Sequence, residues 1–168
     1  MATPTWSVGQ VLTASDVNTW FVDRAAYTTV AEHYTSSTAL GNSASLFLAA
    51  DANALYAWEM YLLYEGGTLG ASDLRFNFAV PSGTTAAFQF LGYNAAGNDE
   101  TRLGFILPGT DNFGGTEGAG NLRSLTLSGT VDTAATSGTF QARFAQQASS
   151  ATSTIIHVGS YMTFERIG

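Results

Sequence analysis

From Ser45 onward the chain alternates between bulky apolar and smaller or polar residues, the period-two signature of β-strands. Leu46 and Leu48 begin a strand that ends at the Asp51-Ala-Asn53 turn. In the next strand Tyr56, Trp58, Met60, Leu62 and Tyr64 share one face. Leu55, Ala57, Tyr61 and Leu63 share the other, with Glu59 among them. A strand apolar on both faces is central in its sheet or lies at an interface. Gly66-Gly67 ends it, and Leu74, Phe76, Phe78 and Val80 then alternate with Arg75, Asn77 and Ala79 up to a Pro81-Ser-Gly83 turn. Phe88 and Phe90 continue the pattern. A short strand over 101–107 lies between Gly- and Asn-rich loops at 94–99 and 109–120. Leu125 and Leu127 mark a strand running towards Val131, and Phe140, Ala142 and Phe144 mark another. After a small polar turn, a long closing strand carries Ile156, Val158, Met162 and Phe164 on one face and Tyr161 and Thr163 on the other. Roughly eight strands with turns between them, and no amphipathic helix separating them, predict an all-β antiparallel sandwich, jelly roll or barrel rather than a parallel βαβ sheet.

The N-terminal stretch follows a different pattern. Residues 1–12 contain Pro4 and Gly9 and are expected to be extended or turn-like. Thr13 and Asp16 make a Thr-x-x-Asp capping signature. Val17, Trp20, Phe21, Arg24 and Ala25 then recur at helical spacing, predicting a helix from Ala14 to Ala26. Three turns of helix are marginal alone in water, so the bulky stripe must dock, either on its own β-body or on a partner subunit. Residues 27–42 read as a linker or irregular edge. The expected organisation is an arm, helix and linker over 1–43 and a β-domain over 44–168.

Composition narrows the function classes. Apolar residues make up 45% of the chain, but charged residues only 11%, so Ser, Thr, Asn, Gln and Gly supply most of the polar surface. Such a surface costs little to desolvate against copies of itself. The net charge is −7, there is no Lys, and the Arg residues are scattered, which argues against nucleic-acid and anionic-membrane partners. Without Cys there is no thiol nucleophile, disulfide framework or Cys-based zinc site. No basic-then-apolar leader opens the chain, and no apolar run approaches the roughly 20 residues of a membrane span.

Candidate chemistry is sparse. His33 and His157 are far apart and read as surface or interface imidazoles rather than a general base or metal pair. Asp99, Glu100, Asp111 and Glu117, with Asn98 and Asn112, supply oxygens of the kind calcium takes, but without EF-hand spacing they read as solvated loop residues. The Phe113–Gly120 stretch is Gly-rich, yet it lacks the Gly-Lys-Ser/Thr ending of a phosphate loop. Trp58, Tyr61, Tyr64, Phe88, Tyr93 and Tyr161 could form a sugar-stacking platform, but their alternation favours core or subunit interface. Arg75, Arg102, Arg123 and Arg143 are expected opposite the apolar strand faces. No Gly-x-Ser-x-Gly elbow is present, and the acids are scattered rather than paired. The expectation is a non-enzymatic protein with no catalytic residue, cofactor or metal.

The segment from Trp6 through Gly9 and Leu12-Thr-Ala-Ser-Asp-Val-Asn18 resembles the N-terminal signature of small structural proteins of tailed bacteriophages, which often infect GC-rich actinobacterial hosts. The body is similar to their jelly-roll module through Leu55-Tyr-Ala-Trp58-Glu59, Asp73-Leu-Arg-Phe76, Val80-Pro-Ser-Gly83, Ser137-Gly-Thr-Phe140-Gln-Ala-Arg-Phe144-Ala-Gln146 and Gly159-Ser-Tyr161. The resemblance implies a capsid decoration protein, head fibre or minor tail protein located on the virion. It implies a homotrimeric, tumour-necrosis-factor-like jelly roll that contacts itself through one sheet face and a capsid or tail protein through the arm. The expected anchoring or subunit-knitting residues are Trp6, Val8, Val11, Leu12, Val17, Trp20 and Phe21. A minor tail or fibre protein with a host-glycan-binding role is the alternative.

Overall fold

The computed structural model describes residues 24–66, 74–93, 99–105, 111–112 and 120–168, with Gly9, Val11 and Thr13 ahead of them; for Tyr93, 99–105 and 111–112 the description is of the backbone. The described residues form twelve strands and no helix. These are β1 (Arg24–Tyr27), β2 (Glu32–Tyr34), β3 (Gly41–Ala50), β4 (Ala54–Glu65), β5 (Leu74–Ala79), β6 (Thr85–Tyr93), β7 (Asp99–Phe105), β8 (Asp111–Asn112), β9 (Arg123–Thr133), β10 (Gly138–Gln146), β11 (Thr154–Ile156) and β12 (Tyr161–Arg166). One sheet runs β1-β12-β4-β9-β6-β7, with β11 extending the far end of β4 and β2 pairing β11. The other runs β3-β10-β5-β8, and every pairing is antiparallel. From β3 the chain steps between the two sheets, which is jelly-roll connectivity, and the β6–β7 hairpin widens the larger sheet beyond β9.

The alternation seen in the sequence decides what lies between the sheets. Tyr56, Trp58, Met60, Leu62 and Tyr64 of β4 face Leu46 and Leu48 of β3, Phe76 and Phe78 of β5, and Phe140 and Phe144 of β10 in one core. Aromatic rings bridge the layers. Tyr56 stacks on Phe164 at 4.1 Å, Phe164 on Phe140 at 5.2 Å, and Phe140 on Phe78 at 4.4 Å. Trp58 meets Phe78 edge-on at 5.0 Å. Such pairs add about 0.5–1.5 kcal/mol each beyond the area they bury.

Two expectations change. The helix expected over Ala14–Ala26 does not extend through its last turn. Arg24–Tyr27 is a strand, paired residue for residue with Phe164–Tyr161, and residues 14–23 lie outside the described set. Pairing at an open sheet edge outweighs the helical preference of Arg-Ala-Ala, because intrinsic propensity is worth only tenths of a kcal/mol per residue and tertiary pairing overrides it. The long closing strand is also two strands. His157–Ser160 turns between β11 and β12, with Gly159 at φ 93° and the Ser160 N–H donating to the His157 carbonyl at 3.2 Å.

The sandwich has two unlike ends. The base carries the start of β1, the β3–β4, β5–β6 and β9–β10 turns, and the end of β12 at Gly168. The apex carries the β11–β12 turn, the end of β4, the 120–123 segment, and the strand ends that lead into 67–73 and 94–98.

Candidate contact and attachment surfaces

At the base, Asp51 gathers the two ends of the folded body. Its Oδ2 lies 3.1 Å from Arg24 Nη2 and 3.6 Å from Arg166 Nη1. The Tyr56 hydroxyl donates to Oδ2 at 3.1 Å and accepts from the Asp51 N–H at 2.9 Å. Arg24 Nη1 also donates to the Ala49 carbonyl. The first residue of β1, the last of β12 and the β3–β4 turn are thereby tied together. Burial is the main cause pushing the Tyr56 phenol above its ordinary value.

The base is also where the N-terminal segment joins the body. Of Trp6, Val8, Val11, Leu12, Val17, Trp20 and Phe21, only Val11 is among the described residues, and it is 80% exposed. The other six lie outside the described residues.

At the apex, Glu65 is the corresponding brace. Its carboxylate is nearly buried, 3.2 Å from His157 Nε2, and accepts from the Gly120 N–H at 3.2 Å. The His157 N–H donates to the Leu63 carbonyl at 2.8 Å. His157 thus braces the β11–β12 turn against the end of β4, while His33 is exposed on β2. Beneath them, Glu32 links β2 to β3. It accepts from the Tyr34 hydroxyl at 2.7 Å, the Ser43 hydroxyl at 2.8 Å and the Ser45 N–H at 3.0 Å. Burial first, and the Glu32 carboxylate second, push the Tyr34 phenol far above its ordinary value.

The other candidates sort by face. Among the described residues, no group of three or more His, Asp or Glu is placed to hold a metal. Asp99 and Glu100 open β7 in one sheet and Asp111 lies in β8 of the other, while Glu117 lies outside the described residues. The aromatic platform is divided. Trp58 and Tyr64 are buried in the core and Phe88 packs against it, while Tyr61 and Tyr161 stack at 5.9 Å on the outer face of the larger sheet. Arg75 and Arg143 do stand opposite the apolar faces and donate to the Thr38 and Leu40 carbonyls. Arg123 does not, because it shares the inward parity of Leu125 and Leu127 at the strand end.

The outer face of the larger sheet holds what sequence reading missed. In register across five strands stand Tyr27, Tyr161, Tyr61, Thr126 and Leu91. Tyr27 is 64% exposed and Leu91 60%. Tyr61 and Tyr161 were visible as the second face of their strands, but Tyr27 lay in a segment read as linker. Only the pairing of β1 with β12 puts it in the row.

These features define the class: an antiparallel jelly-roll sandwich with a bracing cluster at each end and a row of tyrosines across the outer face of its larger sheet. No protein-family model matches the chain, and no curated protein matches it in sequence. Among solved structures it is similar to the infectious bursal disease virus Gt strain structure, at 8% identity over 88% of this chain and 38% of that one, TM-score 0.21. It is similar to the VP2 subviral particle of the same virus at 12% identity over 89% and 38%, TM-score 0.20. The T13 viral particle of that virus gives 12% identity over 86% and 39%, TM-score 0.25. The chain spans under half the length of these chains, and an overlap this loose carries no functional argument.

Proposed function

We propose that this protein is a non-enzymatic structural component of a tailed-bacteriophage virion, a homotrimeric capsid decoration protein attached to the shell through its N-terminal arm. The observation that carries the reading is the placement of the arm. The chain bearing Trp6 to Phe21 joins the sandwich at the base, where Asp51 pairs with both Arg24 and Arg166. The Gly- and Asn-rich connections at 94–98 leave from the opposite end. An arm at one end and loops at the other suit a body standing on a surface. The low charge, the exposed Tyr27 and Leu91 on the outer sheet face and the N-terminal resemblance point the same way. Burying even a few of Trp6, Val8, Val11, Leu12, Val17, Trp20 and Phe21 contributes about 1.5–3 kcal/mol each, and three arms per trimer multiply the hold.

The test is a chain lacking residues 1–23, cut ahead of β1 so that the sandwich stays whole. It folds with the β-sheet signal of the full chain and fails to join particles; full incorporation of the truncated chain would refute the anchor. Counting copies per virion separates shell from tail, since hundreds fit decoration and a handful fit a tail component.

A further inference from the structure

We infer that Tyr61 and Tyr161 form an oxidative coupling site: a one-electron oxidant joins their rings through a carbon–carbon bond and staples β4 to β12. The two residues are Cα partners on adjacent antiparallel strands, and their rings stack at 5.9 Å between centroids with 25° between their planes. Cross-strand partners hold their Cβ atoms about 5 Å apart, so small turns about the side-chain torsions bring the ring carbons together. The pair stands on the outer face of the larger sheet, with Tyr161 exposed and Tyr61 half-buried. The site lies within one copy and does not depend on the virion role.

The rest of the described body directs oxidation to this pair. Cys and Met are the usual targets of oxidants. The chain has no Cys, and Met60 and Met162 are fully buried. Trp58, Tyr56 and Tyr64 are buried in the core, and the half-buried Tyr34 hydroxyl donates to Glu32. Tyr27 is exposed and lies one strand beyond Tyr161 in the same row. A radical formed there reaches Tyr161 by transfer of an electron and a proton between neighbouring phenols.

The step balances. Each phenol gives up one electron and one proton to become a phenoxyl radical, whose unpaired electron is shared with the ring carbons beside the oxygen. A Cε of Tyr61 bonds to a Cε of Tyr161, and the two displaced ring hydrogens pass to the two oxygens, restoring both phenols. The pair loses two electrons and two protons in all. One hydrogen peroxide, acting through a haem peroxidase, takes them up and becomes two waters. The new bond closes a loop of about a hundred residues, which restricts the unfolded chain. It also ties the central strand β4 to β12, the strand on which β1 pairs.

The test treats the full chain with hydrogen peroxide and a haem peroxidase. The product is expected to show dityrosine fluorescence, to run as one chain on a denaturing gel, and to unfold at higher urea than the untreated chain. The chain has no Lys, so trypsin cuts it only at Arg, and peptide 144–166 holds Tyr161 as its one tyrosine. That peptide is expected to stay joined to peptide 25–75, which holds Tyr61. Tyr61→Phe keeps the ring, and its circular dichroism matches the parent. It is expected to lose the fluorescence, the joined peptides and the shift in urea midpoint, while Tyr27→Phe keeps all three. Joined peptides that survive Tyr61→Phe would overturn the assignment of the pair. Dityrosine found only between chains would overturn the staple, and a treated parent without dityrosine would overturn the site itself.

Discussion

Gly129 sits where β9 and β6 press closest. A Cβ there would lie 2.0 Å from the Ala87 carbonyl oxygen and 2.7 Å from Phe88 Cα. Both are backbone atoms, so relief requires the two strands to part. Gly129→Ala is therefore expected to destabilise the fold by about 3 kcal/mol, the upper range of overpacking costs. Gly41→Ala is the control. Its Cβ meets Tyr34 Cε1 at 3.5 Å and the Phe144 carbonyl oxygen at 3.9 Å, both ordinary contacts, and the change is expected to stay within about 1 kcal/mol. Urea midpoints of the two variants check the pair. Tyr34 and Tyr56 set a second expectation. Both phenols are raised above the ordinary value of about 10, so the folded chain keeps protons that the unfolded chain gives up. Their contribution to stability is complete below about pH 10 and declines as pH rises beyond it. Melting temperatures measured from pH 8 to 11.5 are expected to fall once pH passes about 10, and Tyr34→Phe to flatten that fall.

At the scale of elements, β4 was legible in full. Its period-two alternation runs unbroken from Ala54 to Tyr64, and the two-sided pattern correctly marked a strand paired on both edges, by β12 and β9. β5 and β10 were legible for the same reason, since their core-facing apolar residues, Leu74, Phe76 and Phe78 in one and Phe140, Ala142 and Phe144 in the other, fall on every second position. β1 was not. Arg24-Ala-Ala-Tyr27 has no alternation of its own, and its state is decided by the free edge of β12, which lies near the other end of the chain. The break between β11 and β12 did leave a signal, because Gly159 takes a positive φ that only a turn requires. Of the outer face of the larger sheet, sequence showed the β4 part, Tyr61 and Leu63. Its extension through Tyr161 to Tyr27 and through Thr126 to Leu91 exists only as register, which no local pattern encodes.

For the whole molecule, the separation of base from apex is the property that matters to the proposed role. Gly168 lies at the base, where its carbonyl accepts from the Leu55 N–H at 3.0 Å and from Arg166 Nε at 3.1 Å. A small folded tag fused after Gly168 is expected to crowd the attachment side and lower occupancy on particles. The same tag inserted between β6 and β7, at residues 94–98, is expected to leave occupancy at the parental level. Quantitative gel densitometry of purified particles distinguishes the two, and equal occupancy would count against a base-down orientation. The sequence carried this polarity only in part. The loops and the arm were recognisable as such, but which end each occupies follows from the count and direction of the strands between them.

The pairing of β1 with β12 also fixes how the body resists a pull. A tether drawn away from the base loads β1 along its own axis, so its hydrogen bonds to β12 share the force in shear instead of opening one after another. The Arg24–Asp51 pair stands at the loaded mouth of that strand, with Arg166 on the same carboxylate. Tension entering through the arm is passed at that point to the β3–β4 turn and to the end of β12, so three elements at the base share the load that would otherwise fall on β1 alone.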